Sequence, residues 1–166
     1  QFCNNRDYGK CVPRGGWKIR LSNQTGDSPG SERKIITMIQ VGASFELKTK
    51  VTEQNTALAV GSGDVPVFAT PMMMALMEGA AAQCLAQFLE EGKTSVGGNI
   101  SSSHVSATPV GMEVRAVATI TEVDGKKVKF AIEAYDEAGL IGKGDHLRII
   151  VTRDRFLQGA TDKLQK

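Results

Sequence analysis

The chain has 166 residues, of which 41% are hydrophobic and 23% charged. This length fits one globular domain, since most domains hold roughly 100 to 150 residues. Twenty Lys and Arg residues against 18 Asp and Glu residues leave a formal net charge of +2, which disfavours nucleic-acid binding through phosphate contacts. Aromatic residues make up only 5% of the chain, so we expect an aliphatic core in which Ala and Met fill gaps.

The three cysteines and the apolar segments indicate a reducing compartment. Cys3, Cys11 and Cys84 form no repeated pair spacing, so neither a disulfide framework nor a metal site is predicted. The longest apolar run, at residues 71–89, is interrupted by Glu78 and two glutamines, and no signal-peptide core follows the polar N-terminus. We therefore predict a cytoplasmic protein without a membrane partner.

The first 37 residues differ in composition from the rest. They are rich in glycine and include a polar stretch at residues 22–30 that is typical of loops. The chain begins at Gln1, whereas regular hydrophobic patterning begins near Met38. We interpret residues 1–37 as an N-terminal arm or leader, either a processed start or an added segment, in which Cys3 and Cys11 are unpaired thiols. Residues 38–166 are predicted to form the domain.

The first predicted elements of this domain are two strands and a long helix. Apolar and charged residues alternate from Phe45 to Val51, as in a half-buried strand, and residues 56–60 are read as a second short strand. A helix then begins at Thr70, which suits the N-cap, with Pro71 at the first helical position, and ends near Gly92. Because this helix is apolar nearly all round, we expect it to be buried.

Four predicted strands follow the helix. Strand-like patterns occupy residues 95–107, 112–123, 126–135 and 141–152, and Asp124-Gly125 is a hairpin signal between the second and third of them. Those two strands share one apolar face and one charged face. One apolar helix followed by an antiparallel sheet with a single apolar face packs most economically with the sheet curled around the helix. The sequence thus predicts an α+β, hot-dog fold in which an antiparallel β-sheet wraps one long central helix.

The helix carries the first candidate catalytic groups. Glu78 lies among Met, Leu and Ala side chains, where a carboxylate must be paired, solvated or protonated. It is interpreted either as a functional carboxylate or as a residue that faces a solvent channel or a subunit partner. Thr70 is a candidate N-cap and also a candidate catalytic hydroxyl. The free N–H groups of the first turn, near Met72 and Met73, are candidates for binding an oxyanion.

The two histidines are the candidate proton carriers. His104 follows three serines in a strand that is too polar for ordinary core, and a histidine titrates near neutrality. His146 shares a strand face with Gly142 and Gly144, which indicate close backbone approach, and is assigned a structural or ligand-positioning role. Ser102 is disfavoured as a nucleophile, because the chain lacks the Gly-x-Ser-x-Gly motif.

Several of these residues belong to motifs in an ordered series. The series comprises Val67-Phe68-Ala69-Thr70-Pro71, Leu76-Met77-Glu78, Gly97-Gly98, His104, Ala107-Thr108-Pro109-Val110-Gly111 and Gly142-x-Gly144-x-His146-x-Arg148. In order and spacing it resembles the fluoroacetyl-coenzyme A thioesterase group of hot-dog proteins. The resemblance covers about residues 41–156 and leaves the N-terminal arm outside.

This resemblance implies an enzyme that hydrolyses small or medium acyl-CoA thioesters. Thr70, Glu78 and His104 would be catalytic, Gly98 would lie near the thioester, and His146 and Arg148 would contact substrate. It also implies an obligate homodimer or a higher oligomer, and no cofactor, since CoA is part of the substrate. Residues 61–66 are small and polar where a selective apolar lid is expected, so fluoroacetyl specificity is not carried over. The alternative is a non-catalytic hot-dog module that binds or senses acyl-CoA.

Geometry adds a hypothesis about the subunits. Eight residues on a straight helix separate Thr70 from Glu78 by about 12 Å, which is too far for a hydrogen bond. We therefore expect Thr70 of one subunit to meet Glu78 and His104 of the other across a two-fold axis.

Overall fold

The computed structural model describes residues 38–165. The strands and helices are, in chain order, β1 (Ser44–Lys50), α1 (Ala57–Val60), α2 (Thr70–Ala86), β2 (Lys93–His104), β3 (Glu113–Asp124), β4 (Lys127–Tyr135), β5 (Leu140–Thr152) and α3 (Arg153–Thr161), with short 3-10 turns at Glu53–Asn55 and Asp162–Gln165. The proposed arm, including Cys3 and Cys11, lies outside the described residues. None of the helices within 38–165 has the length and hydropathy needed to span a lipid bilayer.

The five strands form one antiparallel sheet in the order β1-β3-β4-β5-β2. Alternation in β3 and β4 buries one face, as the sequence predicted, and the Asp124-Gly125 hairpin joins them with Gly125 at a φ of +55°. The buried face packs on α2, which contacts every strand of the sheet. The predicted α+β architecture of a sheet curled around a central helix is confirmed.

Helix α2 is shorter than predicted and is capped differently. It ends at Ala86 rather than near Gly92, and the apolar residues Phe88 and Leu89 pack against the core from the turn that follows. Ala69 occupies the N-cap position, and no side chain caps the first turn. The expectation that Thr70 caps the helix is therefore wrong, because its hydroxyl is bonded elsewhere.

The predicted short strand at residues 56–60 is a helical turn instead. Ala57–Val60 form α1, and Thr56 caps it by accepting a hydrogen bond from the N–H of Ala59 at 3.2 Å. Gly61 ends the turn in the left-handed region, with a φ of +72°. Local capping by Thr56 and Gly61 thus outweighs the strand preference of this short apolar segment.

Part of the α2 surface and the two edge strands of the sheet, β1 and β2, are left uncovered within this single chain. The residues of α2 that are buried against the sheet are Met73, Met77, Ala80, Ala81, Cys84 and Leu85. The rest of the helix surface has only partly buried or exposed residues, among them Met72, Ala75, Leu76 and Gly79, although Met72 and Leu76 also pack against the core. Strand β2 forms an edge of the sheet, so half of its backbone hydrogen-bonding groups have no neighbouring strand within the described residues.

Candidate active site

Strands β2 and β5 place the candidate residues in one row on the sheet face that packs on α2. The register pairs His104 with Gly142, Ser102 with Gly144, Ile100 with His146, and Gly97 with Arg148. Gly142 lies against the thioether of Met73 on α2, which identifies this face as the inner one. The candidate side chains thus follow the row from His104 at one end to Arg148 at the other.

Thr70 and His104 form a hydrogen-bonded pair at the first end of this row. The Oγ1 atom of Thr70 lies 2.8 Å from Nδ1 of His104 within the same chain. Thr70 is exposed at the start of α2, whereas His104 is partly buried and its Nε2 atom has no hydrogen-bond partner among the described residues. A hydroxyl next to an imidazole is the arrangement needed for proton transfer at an accessible position.

Burial makes His104 a base rather than a charged group near neutrality. Desolvation lowers the pKa of the His104 imidazole below its usual 6.5, because a protonated ring would lose solvation in this site. The neutral ring can accept a proton from the Thr70 hydroxyl or from water. The geometry therefore suits His104 to the role expected for it.

The first turn of α2 offers fewer free donors than expected. Pro71 has no N–H, and the N–H of Met73 donates to the carbonyl of Ala69 at 2.9 Å. The side chain of Met73 is also fully buried in the core. The expectation that Met73 contributes a free N–H is therefore wrong, whereas Met72 has no backbone acceptor within the described segment and remains a candidate oxyanion donor.

Glu78 lies at the other end of the row and is paired. Its Oε1 atom accepts a hydrogen bond from Nη1 of Arg148 at 3.3 Å, although the carboxylate side chain remains 43% exposed. Ser95 holds the guanidinium in place, since Arg148 Nε donates to its hydroxyl and Nη2 to its carbonyl, both at 2.8 Å. The Arg148 side chain is almost fully buried, so the carboxylate that the sequence marked as anomalous compensates a buried cation.

His146 is neutral in this network. Its Nδ1 atom lies 2.6 Å from the carbonyl of Asn99 and donates to it, so Nε2 accepts a hydrogen bond from Nη1 of Arg148 at 3.2 Å. Burial lowers the pKa of His146, and the neighbouring guanidinium lowers it further. The 3.8 Å approach of His146 to Glu78 is therefore not an ion pair, and His146 positions Arg148.

Two consecutive glycines in β2 face opposite sides of the sheet. A Cβ atom on Gly97 would collide with the Glu78 carboxylate, whereas one on Gly98 would lie 3.0 Å from the Ile149 side chain on the outer face. A bulge between Gly97 and Asn99 leaves Gly98 unpaired with β5. Gly97, which the sequence reading did not single out as a site residue, is thus closer to Glu78 than Gly98 is.

The three expected catalytic residues form two separate groups within one chain. His104 lies seven residues from Gly97 on β2, a separation of about 23 Å along an extended strand. No hydrogen bond or ion pair links Glu78 to Thr70 or His104 in the part of the chain described. The hypothesis that Thr70 meets His104 of another subunit is wrong, because these two residues pair within their own chain. No cluster of His, Cys, Asp and Glu that could hold a metal ion occurs among residues 38–165.

Comparison with known proteins agrees with these motifs. The model of the fluoroacetyl-CoA-specific thioesterase family FlK matches residues 51–154. A fluoroacetyl-CoA thioesterase from Streptantibioticus cattleyicolor is 37% identical over 90 residues, which are 54% of this chain and 65% of that protein. The matched segment thus spans just under two thirds of this relative.

Solved structures show the same architecture. A structure of the fluoroacetyl-CoA thioesterase FlK is 30% identical and covers 76% of this chain and 98% of its own, with a TM-score of 0.72. A thioesterase superfamily member from Thermus thermophilus is 32% identical and covers 77% of this chain and 94% of its own, with a TM-score of 0.71. A hot-dog-like protein from Thermanaerovibrio acidaminovorans, 23% identical, shares the fold with a TM-score of 0.68 over 74% of this chain and 91% of its own.

The predicted hot-dog fold is thereby confirmed, and so is the resemblance stated from the motifs. The family match includes the Thr70–His104 pair, Glu78 and the last strand up to Arg148. The chain therefore belongs to the fluoroacetyl-CoA-specific thioesterase family.

Proposed function

We propose that the protein hydrolyses small or medium acyl-CoA thioesters to the free acid and CoA. The hydrogen bond between Thr70 Oγ1 and His104 Nδ1 at the exposed start of α2 carries this proposal, because it puts a hydroxyl, a neutral base and a helix N-terminus at one accessible point. Family membership supports a thioester substrate. The reaction needs no separate cofactor, since CoA enters as part of the substrate.

The active enzyme is a homodimer in which each site combines two chains. Antiparallel pairing of two β2 edges about a two-fold axis between Ile100 and Ser101 sets His104 opposite Gly97 of the partner subunit, because the two residues are equidistant from that axis. Glu78 lies against Gly97. Such a dimer brings Glu78 of one subunit to the Thr70–His104 pair of the other and covers the β2 edge and the open side of α2.

In this site each residue has a defined role. His104 accepts the proton of the attacking group, which is the Thr70 hydroxyl in a covalent route or water in a direct route. The attack forms a C–O bond and an oxyanion, the oxyanion then collapses with loss of the C–S bond, and protonated His104 returns the proton to the departing CoA thiolate. In the covalent route, water activated by His104 then attacks the acyl-Thr70 ester, which releases the free acid and restores the Thr70 hydroxyl. The N–H of Met72 and the positive end of α2 stabilise the oxyanion, and Glu78 orients His104 or the water.

The segment before α2 supports a substrate range wider than fluoroacetyl-CoA. Residues 61–66 are all exposed in the single chain, and Val65 is its only large apolar side chain. A small, polar, open segment excludes an acyl group less strictly than an apolar lid would. Residues in this loop therefore set no tight limit on acyl size.

A thiol-release assay over acetyl-, fluoroacetyl-, butyryl- and hexanoyl-CoA tests the proposal. We expect turnover with several of these esters and a loss of about 100-fold or more for His104→Ala, the usual scale for a proton-transfer group. Trapping of an acyl group on Thr70 would identify the covalent route. Near-normal turnover of Thr70→Ala would instead assign the attack to water.

An acyl-CoA binding assay on the same proteins distinguishes an enzyme from a sensor. If the wild type and His104→Ala both bind acyl-CoA and neither releases thiol, the proposed hydrolysis is contradicted and the binding module is favoured. Circular dichroism of each variant shows whether a loss of turnover reflects the site or the fold.

A further inference from the structure

The loop that follows His104 contains one buried residue, Thr108. Residues 105–111 are all exposed except Thr108, whose exposed fraction is 0%. A polar side chain is buried at a cost unless a hydrogen bond replaces its lost contact with water. The burial of a threonine, in a loop that is otherwise exposed, therefore indicates a specific contact.

The hydroxyl of Thr108 has its partner in the turn between β4 and β5. Its Oγ1 atom donates to Oδ2 of Asp136 at 2.8 Å. The other oxygen of this carboxylate, Oδ1, accepts from the N–H groups of Ala138 and Gly139 at 2.8 and 3.1 Å. Asp136 thus shapes the turn with one oxygen and holds the loop after His104 with the other.

The backbone of Thr108 contacts the segment that leads into α2. Its carbonyl accepts a hydrogen bond from the N–H of Phe68 at 2.8 Å, and Pro109 forms an isolated antiparallel bridge with Val67. Phe68 is 1% exposed and lies two residues before Thr70. Proline restricts the residue before it to extended backbone, which limits the conformations open to Thr108. The loop is therefore joined to the chain immediately before the Thr70 hydroxyl.

The turn that holds Thr108 also begins the strand beside His104. Strand β5 starts directly after this turn and pairs with β2 as far as His104. Beyond the last pair, the N–H of Val105 donates to the carbonyl of Ile141 at 2.7 Å. The turn and β5 thus hold the His104 side of the catalytic pair, while the Thr108 carbonyl holds the Thr70 side.

From these contacts we propose that Thr108 and Asp136 are positioning residues for the catalytic pair. Their hydrogen bond sets the distance between the loop after His104 and the segment before Thr70. It thereby keeps Thr70 Oγ1 within hydrogen-bonding distance of His104 Nδ1. The inference rests on the proposed function, in which this pair carries out the proton transfer.

Nitrogen NMR of the histidine rings tests the positioning without any turnover. The chain has two histidines, and both rings are neutral in alkaline solution. In the wild type we expect one His104 tautomer, with the proton on Nε2, since Nδ1 accepts from Thr70. Thr108→Val keeps the side-chain shape but removes the hydroxyl, and we expect it to give a mixture of both His104 tautomers. His146 is the internal control, because its Nδ1 donates to the carbonyl of Asn99 in every variant.

Kinetics of thiol release from acetyl-CoA supplies the second measurement. We expect Thr108→Val to lower kcat about tenfold at nearly constant KM, because the pair is misplaced while the substrate contacts remain. Thr108→Ser keeps the hydroxyl and should retain most of the wild-type kcat. Asp136→Ala removes the acceptor, and adding Thr108→Val to it should lower kcat little further, since both changes break one hydrogen bond.

A core variant separates positioning from a general loss of stability. Ile120 is a core residue of β3 whose strand partner is Phe130 and not the turn at residues 136–139. Ile120→Val removes one buried methylene and should lower the denaturation midpoint. We expect it to leave kcat and the His104 tautomer as they are in the wild type.

A single His104 tautomer in both Thr108→Val and Asp136→Ala would overturn the proposal, and so would an unchanged kcat. If Thr108→Val does not fold, Asp136→Ala alone decides both measurements. A loss in Thr108→Ser as large as in Thr108→Val would assign the effect to packing and contradict the hydrogen bond. Equal changes at His104 and His146 would show that the whole sheet has loosened, which also contradicts positioning. If the wild type hydrolyses no thioester, the proposed function fails while the NMR experiment still decides whether the pair is held by Thr108.

Discussion

The Thr70 hydroxyl has two competing hydrogen-bond partners at the start of α2, namely a free N–H of the first turn and the Nδ1 atom of His104. Capping by Thr stabilises a helix by about 1 kcal/mol. The structure instead directs the hydroxyl to His104 at 2.8 Å and leaves the cap position to Ala69, which has no capping side chain. Without a capping side chain the N–H of Met72 stays open, and the Thr70 hydroxyl lies against a base.

The depressed pKa of His104 predicts the pH dependence of turnover. The ring acts as a base only when it is neutral, and burial lowers its pKa below 6.5. We therefore expect kcat/KM to be constant at neutral pH and to fall on the acid side with a midpoint below 6.5. A pH profile of thiol release measures this midpoint, with circular dichroism at each pH as a check on folding. A midpoint above 6.5 would show that Glu78 of the other subunit stabilises the protonated ring by more than burial destabilises it.

Arg148 and Glu78 are unequal partners. The guanidinium is almost fully buried, whereas the carboxylate is 43% exposed and keeps part of its hydration. Burial lowers the pKa of Arg148 and Glu78 raises it, yet the group stays charged because the ordinary pKa of an arginine is so high. Removing Glu78 therefore lowers the free energy of unfolding by more than the loss of an exposed ion pair would, because a buried cation loses its counter-charge.

At the scale of the strand, we expect Gly97, on the inner side of the β2 bulge, to be sensitive to substitution. A Cβ atom at position 97 would occupy the place of the Glu78 carboxylate and also lie 3.4 Å from the His146 ring. We expect Gly97→Ala to displace Glu78 and to lower kcat by about 10-fold to 100-fold, as misplaced catalytic groups do. Steady-state kinetics of thiol release measures the loss.

A double-mutant cycle assigns that loss to the carboxylate. In a Glu78→Ala background no carboxylate remains to be displaced, so adding Gly97→Ala should change kcat little further. If the two losses instead multiply, the effect of Gly97→Ala comes from the strand itself and not from Glu78.

The sequence predicted those elements whose signal is local. Strict alternation marked β1, β3 and β4, and Asp124-Gly125 marked the hairpin. The one-turn helix α1 was missed because four residues are too few to display a helical period, and its Ala, Leu and Val side chains also suit a strand. The end of α2 was misplaced because Phe88 and Leu89 continue the apolar pattern after the helix has ended at Ala86.

The candidate site was predictable in its residues and not in its contacts. Glu78, a carboxylate in an apolar helix, and His104, a histidine after three serines, can be recognised from the sequence alone. The partner of Glu78, however, is Arg148, which lies 70 residues away in the chain, and the packing of α2 on the sheet rather than sequence spacing brings the two together. The same holds for Gly97, whose importance depends on which face of β2 it occupies.

At the scale of the whole molecule, the open surfaces of the single chain coincide with the incomplete site. Met72, Ala75 and Leu76, which are partly or fully exposed, follow Thr70 within two turns of α2, and the unpaired edge of β2 contains both His104 and Gly97. A second copy placed on these surfaces buries apolar area, pairs with the free backbone groups of β2 and brings its Glu78 carboxylate to the Thr70–His104 pair. Dimerisation thus covers the open surfaces and completes the divided site.

Mixing two inactive variants tests directly whether the site is composed of two subunits. Glu78→Ala keeps the Thr70–His104 pair, and the double variant Thr70→Ala/His104→Ala keeps Glu78. In a mixed dimer one composite site is intact and the other lacks all three groups, so co-refolding equal amounts should restore about a quarter of wild-type activity, because half of the dimers are mixed and each has one of two sites. Analytical ultracentrifugation establishes that dimers have formed. If all three groups act within one chain, mixed dimers contain no complete site, and activity stays at the level of the separate variants.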